Sequence, residues 1–436
     1  MAPAGSTREK RGSAPAAHGR DEIALVLSGG GARGAYEAGA VSVLLPALER
    51  RGERPGMLVG TSVGAINAAY LAGVAHLPAE EAAAGLVAQW RGIDKGAVIR
   101  PILSHQLPLG VARYAAEILS LGDTRLPSLL DPAPLRRNLQ RWIDWPALHA
   151  NVRAGAARAV AAVTTAACSG RTVAFVEGSP LGDPGPSRTI DYVRTRLAVD
   201  HIRASAALPV LFPAVRVKSP AAHAGWYIDG GTRLNTPLRP ALDLGARRLV
   251  VVGTEAVAGR RKPDPDCDRP DVGDGALHLL QGILVDPLVR DIWMLGRLNA
   301  VAMAVRGNPD VPYRTVPYMF VSPGKAGAVG ELASEVFRAR YGGLKGLRSP
   351  DLRLLNRLLG GDSPTHGELL SYLLFDPEFV RELIEMGMRD ATAWLKAPAG
   401  PDWPWQRHPL PALAAGRTTP STKPGSPVTV TLKPSA

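Results

Sequence analysis

Short apolar runs closed by glycine alternate with stretches of helical spacing through the first half of the chain. Leu25-Val26-Leu27 is apolar throughout and ends at Ser28-Gly29-Gly30-Gly31-Ala32-Arg33-Gly34, after which helix-forming residues resume at Ala35-Tyr36-Glu37-Ala38-Gly39-Ala40-Val41. Leu58-Val59 repeats the pattern: it ends at Gly60-Thr61-Ser62-Val63-Gly64 and continues into a helix rich in small residues, Ala65 to Ala72. Both runs predict a buried strand, a glycine turn and a helix. Ala159 to Thr165 and Thr172 to Val176 read as two further strands joined by a turn at Ser169-Gly170-Arg171. His201 to Pro209 reads as a helix ended near its proline. Trp226-Tyr227-Ile228-Asp229 is a strand terminated by the pair Gly230-Gly231. Farther on, Thr365 with Glu368 forms a capping box, and Asp376-Pro377 starts a helix whose buried stripe is Phe379, Val380, Leu383, Ile384 and Met388. The apolar segment Val98 to Leu130 is broken by Pro101, Pro108 and Pro127; periodicity leaves open a lid or acyl-chain wall and a helical insertion that completes the core. Strands alternating with helices indicate an α/β protein.

The two glycine turns carry the candidate chemistry. Gly60-Thr61-Ser62-Val63-Gly64 is G-x-S-x-G, the sharp elbow that holds a serine hydroxyl exposed between strand and helix. A serine that attacks an acyl carbonyl creates an oxyanion, which needs preorganised N–H donors, each worth roughly 10²–10³ in rate. Gly29, Gly30 and Gly31 can supply them, and Val63, next after the nucleophile, adds another. Glycine suits that loop because a β-carbon would block close approach of backbone to substrate. Asp229, a carboxylate at the end of an apolar strand before a glycine pair, is the second catalytic candidate; the alternative for it is an Asx-type turn. The first turn also fits the dinucleotide fingerprint G-x-G-x-x-G, but that motif requires an acidic residue at the end of the second strand. Here the strand ends in Gly60, and Glu49 lies in a charged helix end. No Gly-Lys-Ser/Thr closes a phosphate-binding loop.

Composition sets the remaining bounds. With 436 residues, 46% of them hydrophobic, the chain can bury one large core with additions. It has no run of about 18 apolar residues, so no transmembrane helix is predicted. Met1 to Arg20 carries Arg8, Lys10, Arg11 and Arg20 without an apolar region behind them, which argues against a secretory signal. Cys168 and Cys267 are far apart and suit a reducing compartment. A net charge of +12 favours an anionic partner. Scattered basic residues without zinc-ligand spacing or RNA-binding aromatics make a lipid headgroup surface a better fit than nucleic acid. Asp264-Pro265-Asp266-Cys267-Asp268 invites a calcium reading, but Arg269 and Gly275 stand where an EF-hand loop needs Gly and Glu. No metal or cofactor is expected.

Taken in order, these motifs resemble the patatin-like phospholipases, serine acyl hydrolases with a Ser-Asp dyad. The resemblance spans about Ile23 to Thr254. Gly29 to Gly34 looks like the family's oxyanion loop, Gly60 to Gly64 like its elbow, and Asp229-Gly230-Gly231 like its Asp-Gly-Gly/Ala turn; Ala204-Ser205-Ala206-Ala207-Leu208-Pro209 before Phe212-Pro213 is similar to a fourth signature. The resemblance implies a three-layer α/β fold with a central, mostly parallel sheet flanked by helices. It also implies Ser62 as nucleophile, Asp229 as general base, Gly29, Gly30, Gly31 and Val63 as oxyanion donors, and Arg33, Gly34, Gly60, Gly64, Gly230 and Gly231 as motif support. Its substrate would be an acyl lipid. Arg33 either faces solvent, orients the loop or meets a phosphate headgroup. The expected organisation is a disordered basic arm at 1–20, a catalytic domain at 21–254, a polar linker at 255–275, a mainly helical extension at 276–396 packed on the catalytic domain, and a disordered Pro-rich tail at 397–436. Within that tail, Trp403-Pro404-Trp405-Gln406-Arg407-His408 reads either as an anchor for an anionic membrane or as inert. The expected location is the cytoplasm, including the membrane periphery. A non-catalytic lipid-binding protein that retains the fold is the alternative.

Overall fold

The computed structural model describes residues 23–98, 131–179, 189–209, 211–256, 286–305, 314–341, 366–397 and 404–410. The expected N-terminal arm, most of the 98–130 segment, the 264–275 loop and Thr365 lie outside these residues. In chain order the regular elements begin with β1 (Ile23–Leu27), α1 (Gly34–Arg50), β2 (Met57–Thr61), α2 (Val63–Gly73), α3 (Ala79–Arg91) and α4 (Lys95–Val98). Next come α5 (Ala133–Trp142), α6 (Trp145–Ala154), β3 (Ala159–Ala166), β4 (Thr172–Gly178), β5 (Ile190–Arg194) and α7 (Val199–Ser205). Then follow β6 (Val215–Val217), β7 (Gly225–Asp229), α8 (Gly231–Leu234), α9 (Leu238–Asp243) and β8 (Arg248–Val252). The C-terminal part holds α10 (Asp286–Ala304), β9 (Tyr318–Val321), α11 (Ala328–Tyr341), α12 (His366–Leu373) and α13 (Pro377–Lys396).

The strands form one mixed sheet in the order β5-β4-β3-β2-β1-β8-β9, with β7 added to β3 and β6 added to β7. The pairs β1–β2, β1–β8, β2–β3, β4–β5 and β8–β9 are parallel. Every residue of β1 and β2 is buried, as the unbroken apolar runs require of strands covered on both faces. The two-residue period divides them: Leu25 and Leu27 join the larger core cluster on one face, and Ala24 and Val26 the smaller one on the other. This is the α/β fold expected, with helices on both sides of a mostly parallel sheet.

Two features differ from the expected organisation. The sheet does not stop near residue 254, because β9, from the extension, pairs with β8. Nor is the whole 397–436 region a free tail. Gln406 N–H donates to Tyr318 O at 2.7 Å and Tyr318 N–H to Gln406 O at 2.8 Å, so this segment occupies the free edge of β9. Trp405 is buried; its indole N–H donates to Glu53 Oε2 at 3.2 Å and its ring lies 4.8 Å from the Arg248 guanidinium carbon. The aromatic–cation pairing serves a tertiary contact, so Trp405 is not available to a membrane.

The extension docks chiefly through α13 against α1. Its start is capped as expected, with Asp376 Oδ1 accepting from Glu378 N–H at 2.9 Å. Phe379, Val380, Leu383 and Ile384 are fully buried, and Met388 is half-buried. The helices approach so closely that a β-carbon on Gly387 would lie 2.1 Å from Tyr36 O, and one on Gly39 2.0 Å from Ile384 O. Backbone cannot yield as a flexible side chain can. Gly387→Val is therefore expected to cost about 1–3 kcal/mol by overpacking. A thermal unfolding midpoint unchanged from wild type would contradict this.

Candidate active site

The site is built on one edge of β3. Strand β2 runs parallel along that edge until Thr61, which pairs with Val163; one residue on, Thr164 pairs with Asp229 of antiparallel β7. The ends of β2 and β7 thus abut, and the residue after Thr61 is Ser62. Its Oγ–H donates to Asp229 Oδ2 at 2.6 Å. Ser62 has φ 54° and ψ −124°, and among the described residues it is the only non-glycine with positive φ. Such strain persists only where the surroundings enforce it. Ser62 N–H donates to Ser205 Oγ at 2.9 Å, and Ser205 O–H donates to Val163 O at 2.6 Å, tying the elbow to β3. Asp229 Oδ1 accepts from Gly231 N–H at 2.6 Å, and Asp229 N–H donates to Ala207 O at 2.9 Å. Burial raises the Asp229 carboxyl to about 7, against the smaller opposing effects of its Ser62 and Gly231 hydrogen bonds.

The first glycine turn lies beside this pair, and its three glycines do different things. Gly29 N–H donates to Asn235 O at 3.0 Å, and Gly29 O accepts from Thr254 Oγ1 at 2.7 Å. Its amide is committed to holding the loop, so the expected role of Gly29 as an oxyanion donor is corrected. Gly30, Gly31 and Val63 line the cavity with Ser62, and among the described residues no hydrogen bond takes up their N–H groups. Gly31 has φ 57°, and a β-carbon there would lie 2.2 Å from Tyr372 O. The C-terminal extension therefore roofs the loop.

Arg33 is fully buried, which rules out the solvent-facing and headgroup readings. Its guanidinium forms ion pairs with Glu255 and with Glu368, the latter at 2.5 Å, and donates through Nε to Ser371 Oγ at 2.7 Å. The Tyr372 ring lies 4.3 Å from its Cζ, and Tyr372 O–H donates to Glu255 Oε1 at 2.8 Å. Burial by itself would lower the Arg33 pKa, but Glu255 and Glu368 together raise it, so the cation persists. Of the three roles considered, orienting the loop is the one that fits.

The cavity in front of Ser62 encloses about 940 Å³, including the part open to solvent. Its apolar lining includes Leu86, Trp90, Leu135, Ile143, Leu208, Phe212, Leu373 and Phe375. Of the 98–130 segment, Val98 lines the wall; the rest lies outside the described residues. None of the described histidines lines the cavity. His201 is turned away: its Nδ1 accepts from Ala198 N–H at 2.9 Å, its Nε2–H donates to Ser219 O at 2.8 Å, and its ring packs on Phe175. His223 is exposed beyond β6. No group of three or more metal-ligating side chains occurs among the described residues.

The model of the patatin-like phospholipase family matches residues 25–242, half of the chain. This chain belongs to the patatin-like phospholipases. The match covers the glycine loop, the elbow and Asp229 together, within a family of lipid acyl hydrolases. Among solved structures, VipD from Legionella pneumophila is similar at 13% identity and a TM-score of 0.31, over 85% of this chain and 66% of that protein, just under two thirds of its length. No curated protein matches. This patatin-like site also uses residues the motifs did not flag. Asn235 and Thr254 hold Gly29, and Asn67 binds Gly34 O at 3.2 Å, Glu37 Oε2 at 2.8 Å and the Trp90 indole at 2.9 Å. Ser205 lay within a recognised signature, but nothing in that run indicated which side chain would reach the elbow.

The raised Asp229 pKa has a thermodynamic consequence. The unfolded carboxyl ionises near 3.8, while the folded one keeps its proton until about 7. The folded state therefore binds more protons between those values, and wild-type stability falls across that window and levels off above it. Asp229→Asn removes this penalty. Its unfolding temperature is expected to draw ahead of wild type from about pH 4 and to lead most above about pH 7; a gap that is independent of pH would refute the assignment.

Proposed function

We propose that this chain hydrolyses carboxylic ester bonds of phospholipids or related acyl lipids through a serine acyl-enzyme, with Ser62 as nucleophile and Asp229 as general base. The observation that carries the reading is the 2.6 Å hydrogen bond from Ser62 Oγ to a carboxyl raised to about 7, at the floor of an apolar cavity. A carboxylate of ordinary pKa, near ~3.9, is a weak base. One tuned close to neutrality both accepts a proton and returns it.

Ser62 Oγ attacks the ester carbonyl as its proton passes to Asp229 Oδ2. The oxyanion is received by the N–H groups of Gly30, Gly31 and Val63, at the positive end of α2. The proton then goes to the departing alcohol oxygen as the ester C–O bond breaks. Water attacks the acyl-enzyme with Asp229 again as base, which releases the fatty acid and restores Ser62. The acyl chain lies along the apolar walls. Such a substrate resides in a bilayer, so the protein works at a membrane surface; no described helix is long and apolar enough to cross one.

Two outcomes are expected. Ser62→Ala and Asp229→Asn each lower hydrolysis of a short-chain ester by roughly 10⁴-fold or more while the protein stays folded, whereas His201→Ala and His223→Ala retain it. A histidine variant as inactive as Ser62→Ala, with unchanged thermal unfolding, would replace the dyad by a triad. A fluorophosphonate probe adds an independent reading, since a protein that only binds lipid leaves Ser62 unlabelled. For wild type, kcat/KM should rise about tenfold per pH unit up to about pH 7 and then flatten as Asp229 ionises; a flat profile between pH 5 and 8 would remove Asp229 as base.

A further inference from the structure

The chain between the cavity wall at Phe212 and the carboxylate at Asp229 forms a short hairpin, β6 and β7, whose outer side the catalytic reading does not use. Val215, Val217 and Tyr227 face inward, and Tyr227 packs on Phe175 with ring centroids 5.2 Å apart. Tyr227 O–H donates to His223 O at 2.7 Å, and His201 Nε2–H donates to Ser219 O at 2.8 Å, so the hairpin is held at both its strand and its turn. The alternate residues face out. Trp226 is 49% exposed, the highest value among the exposed large hydrophobic side chains of the described residues, and it pairs across the strands with Arg216. The Arg216 guanidinium carbon lies 6.0 Å from the Trp226 ring centroid.

We infer that this hairpin is the surface that docks the protein on an anionic lipid bilayer, with Trp226 seated at the headgroup level and Arg216 and Lys218 against lipid phosphates. The inference rests on the lipid-hydrolase reading above and names the surface that serves it. Three observations converge. From Val215 to Tyr227 the sequence contains no acidic residue, while Arg216, Lys218 and His223 are exposed. Asp191, on β5, is already held by Arg171 through two hydrogen bonds. An amphipathic ring beside cations matches the interface, where indoles sit at headgroup depth and each basic residue gains from the negative surface potential.

Position gives the second argument. Strand β7 begins beyond the C-terminal end of β3 and runs back to deliver Asp229 beside Ser62. The hairpin therefore projects from the end of the sheet at which β2 presents the nucleophile, and its other leg leads directly to the cavity-lining Phe212 and Leu208. A bilayer touching Trp226 faces the catalytic end. Among the described residues the remaining exposed large hydrophobics, Met294, Leu298 and Val301, lie on α10, which packs through Ile292 and Leu295 into the core cluster on the opposite face from the cavity walls. Docking there would turn the cavity away from the lipid.

The test is sedimentation of the full chain with vesicles of phosphatidylcholine plus phosphatidylglycerol and with vesicles of phosphatidylcholine alone, alongside hydrolysis of a soluble short-chain ester. Wild type is expected to prefer the anionic vesicles and to lose binding as salt is added. Trp226→Ala should weaken binding severalfold. Arg216→Glu with Lys218→Glu should weaken it by about 25-fold or more, from roughly fivefold per basic residue removed. Both variants should hydrolyse the soluble ester as wild type does, and a variant with Met294, Leu298 and Val301 all changed to Ser should sediment normally. Equal sedimentation of the hairpin variants and wild type, no sedimentation of wild type, or loss of binding in the α10 variant alone would each overturn the inference. Failure of wild type to hydrolyse the soluble ester would instead count against the catalytic reading, and the two failures are read in separate assays.

Discussion

The abutment of β2 and β7 on a single edge of β3 is the constraint on which the site depends. A parallel strand and an antiparallel strand share that edge, one ending where the other ends, so Thr61 faces Val163 and Asp229 faces Thr164. Sheet register is rigid, and a slip of one residue would turn every side chain to the other face. The Ser62–Asp229 contact thus inherits its precision from backbone hydrogen bonds. Ser205 adds a cross-brace, joining the strained elbow to Val163 through its hydroxyl.

The closeness of Ser62 and Asp229 works against stability. A buried carboxyl beside a hydroxyl, with one backbone N–H as further support, prefers its proton, and ionising it in the folded state is unfavourable. Strain at Ser62 adds to this. Both are sustained by the fully buried strands β1 and β2 beside them, in keeping with the general finding that functional sites hold conformations an optimally stable protein would avoid.

A second dependence runs through Arg33. Its charge is buried among Glu255, Glu368, Ser371 and Tyr372, which come from the end of β8 and from α12. Removing Arg33, Glu255 or Glu368 alone would strand a buried charge, so these three act as a unit. The unit joins the turn carrying Gly30 and Gly31 to a segment more than three hundred residues away in sequence. The extension also supplies the cavity residues Tyr372, Leu373 and Phe375 and the packing of α13 on α1. The patatin-like core matched by the family model therefore lacks part of its own cavity wall in this chain.

Much was legible in the sequence because its signals are local. All-apolar runs ending in glycine marked β1 and β2, an Asp-Pro pair marked the start of α13, and the ordered motifs identified Ser62, Asp229 and the glycine loop as candidates and named the family. What the sequence could not convey is which groups are already engaged. The motif treats Gly29, Gly30 and Gly31 alike, yet only Gly29 has its amide turned to Asn235, a partner that folding brings to it. Arg33 reads equally as a solvent-facing, loop-orienting or headgroup-binding residue until Glu255 and Glu368 are brought to it, and the 403–408 run reads as a membrane anchor or as inert until β9 offers Gln406 an edge and Arg248 offers Trp405 a stacking partner. The physical reason is the same in each case. Hydrophobic periodicity and turn chemistry depend on neighbours within a few residues, whereas burial of a charge, the direction of an amide and the pKa of a carboxyl depend on groups that only the tertiary fold brings within a few ångströms.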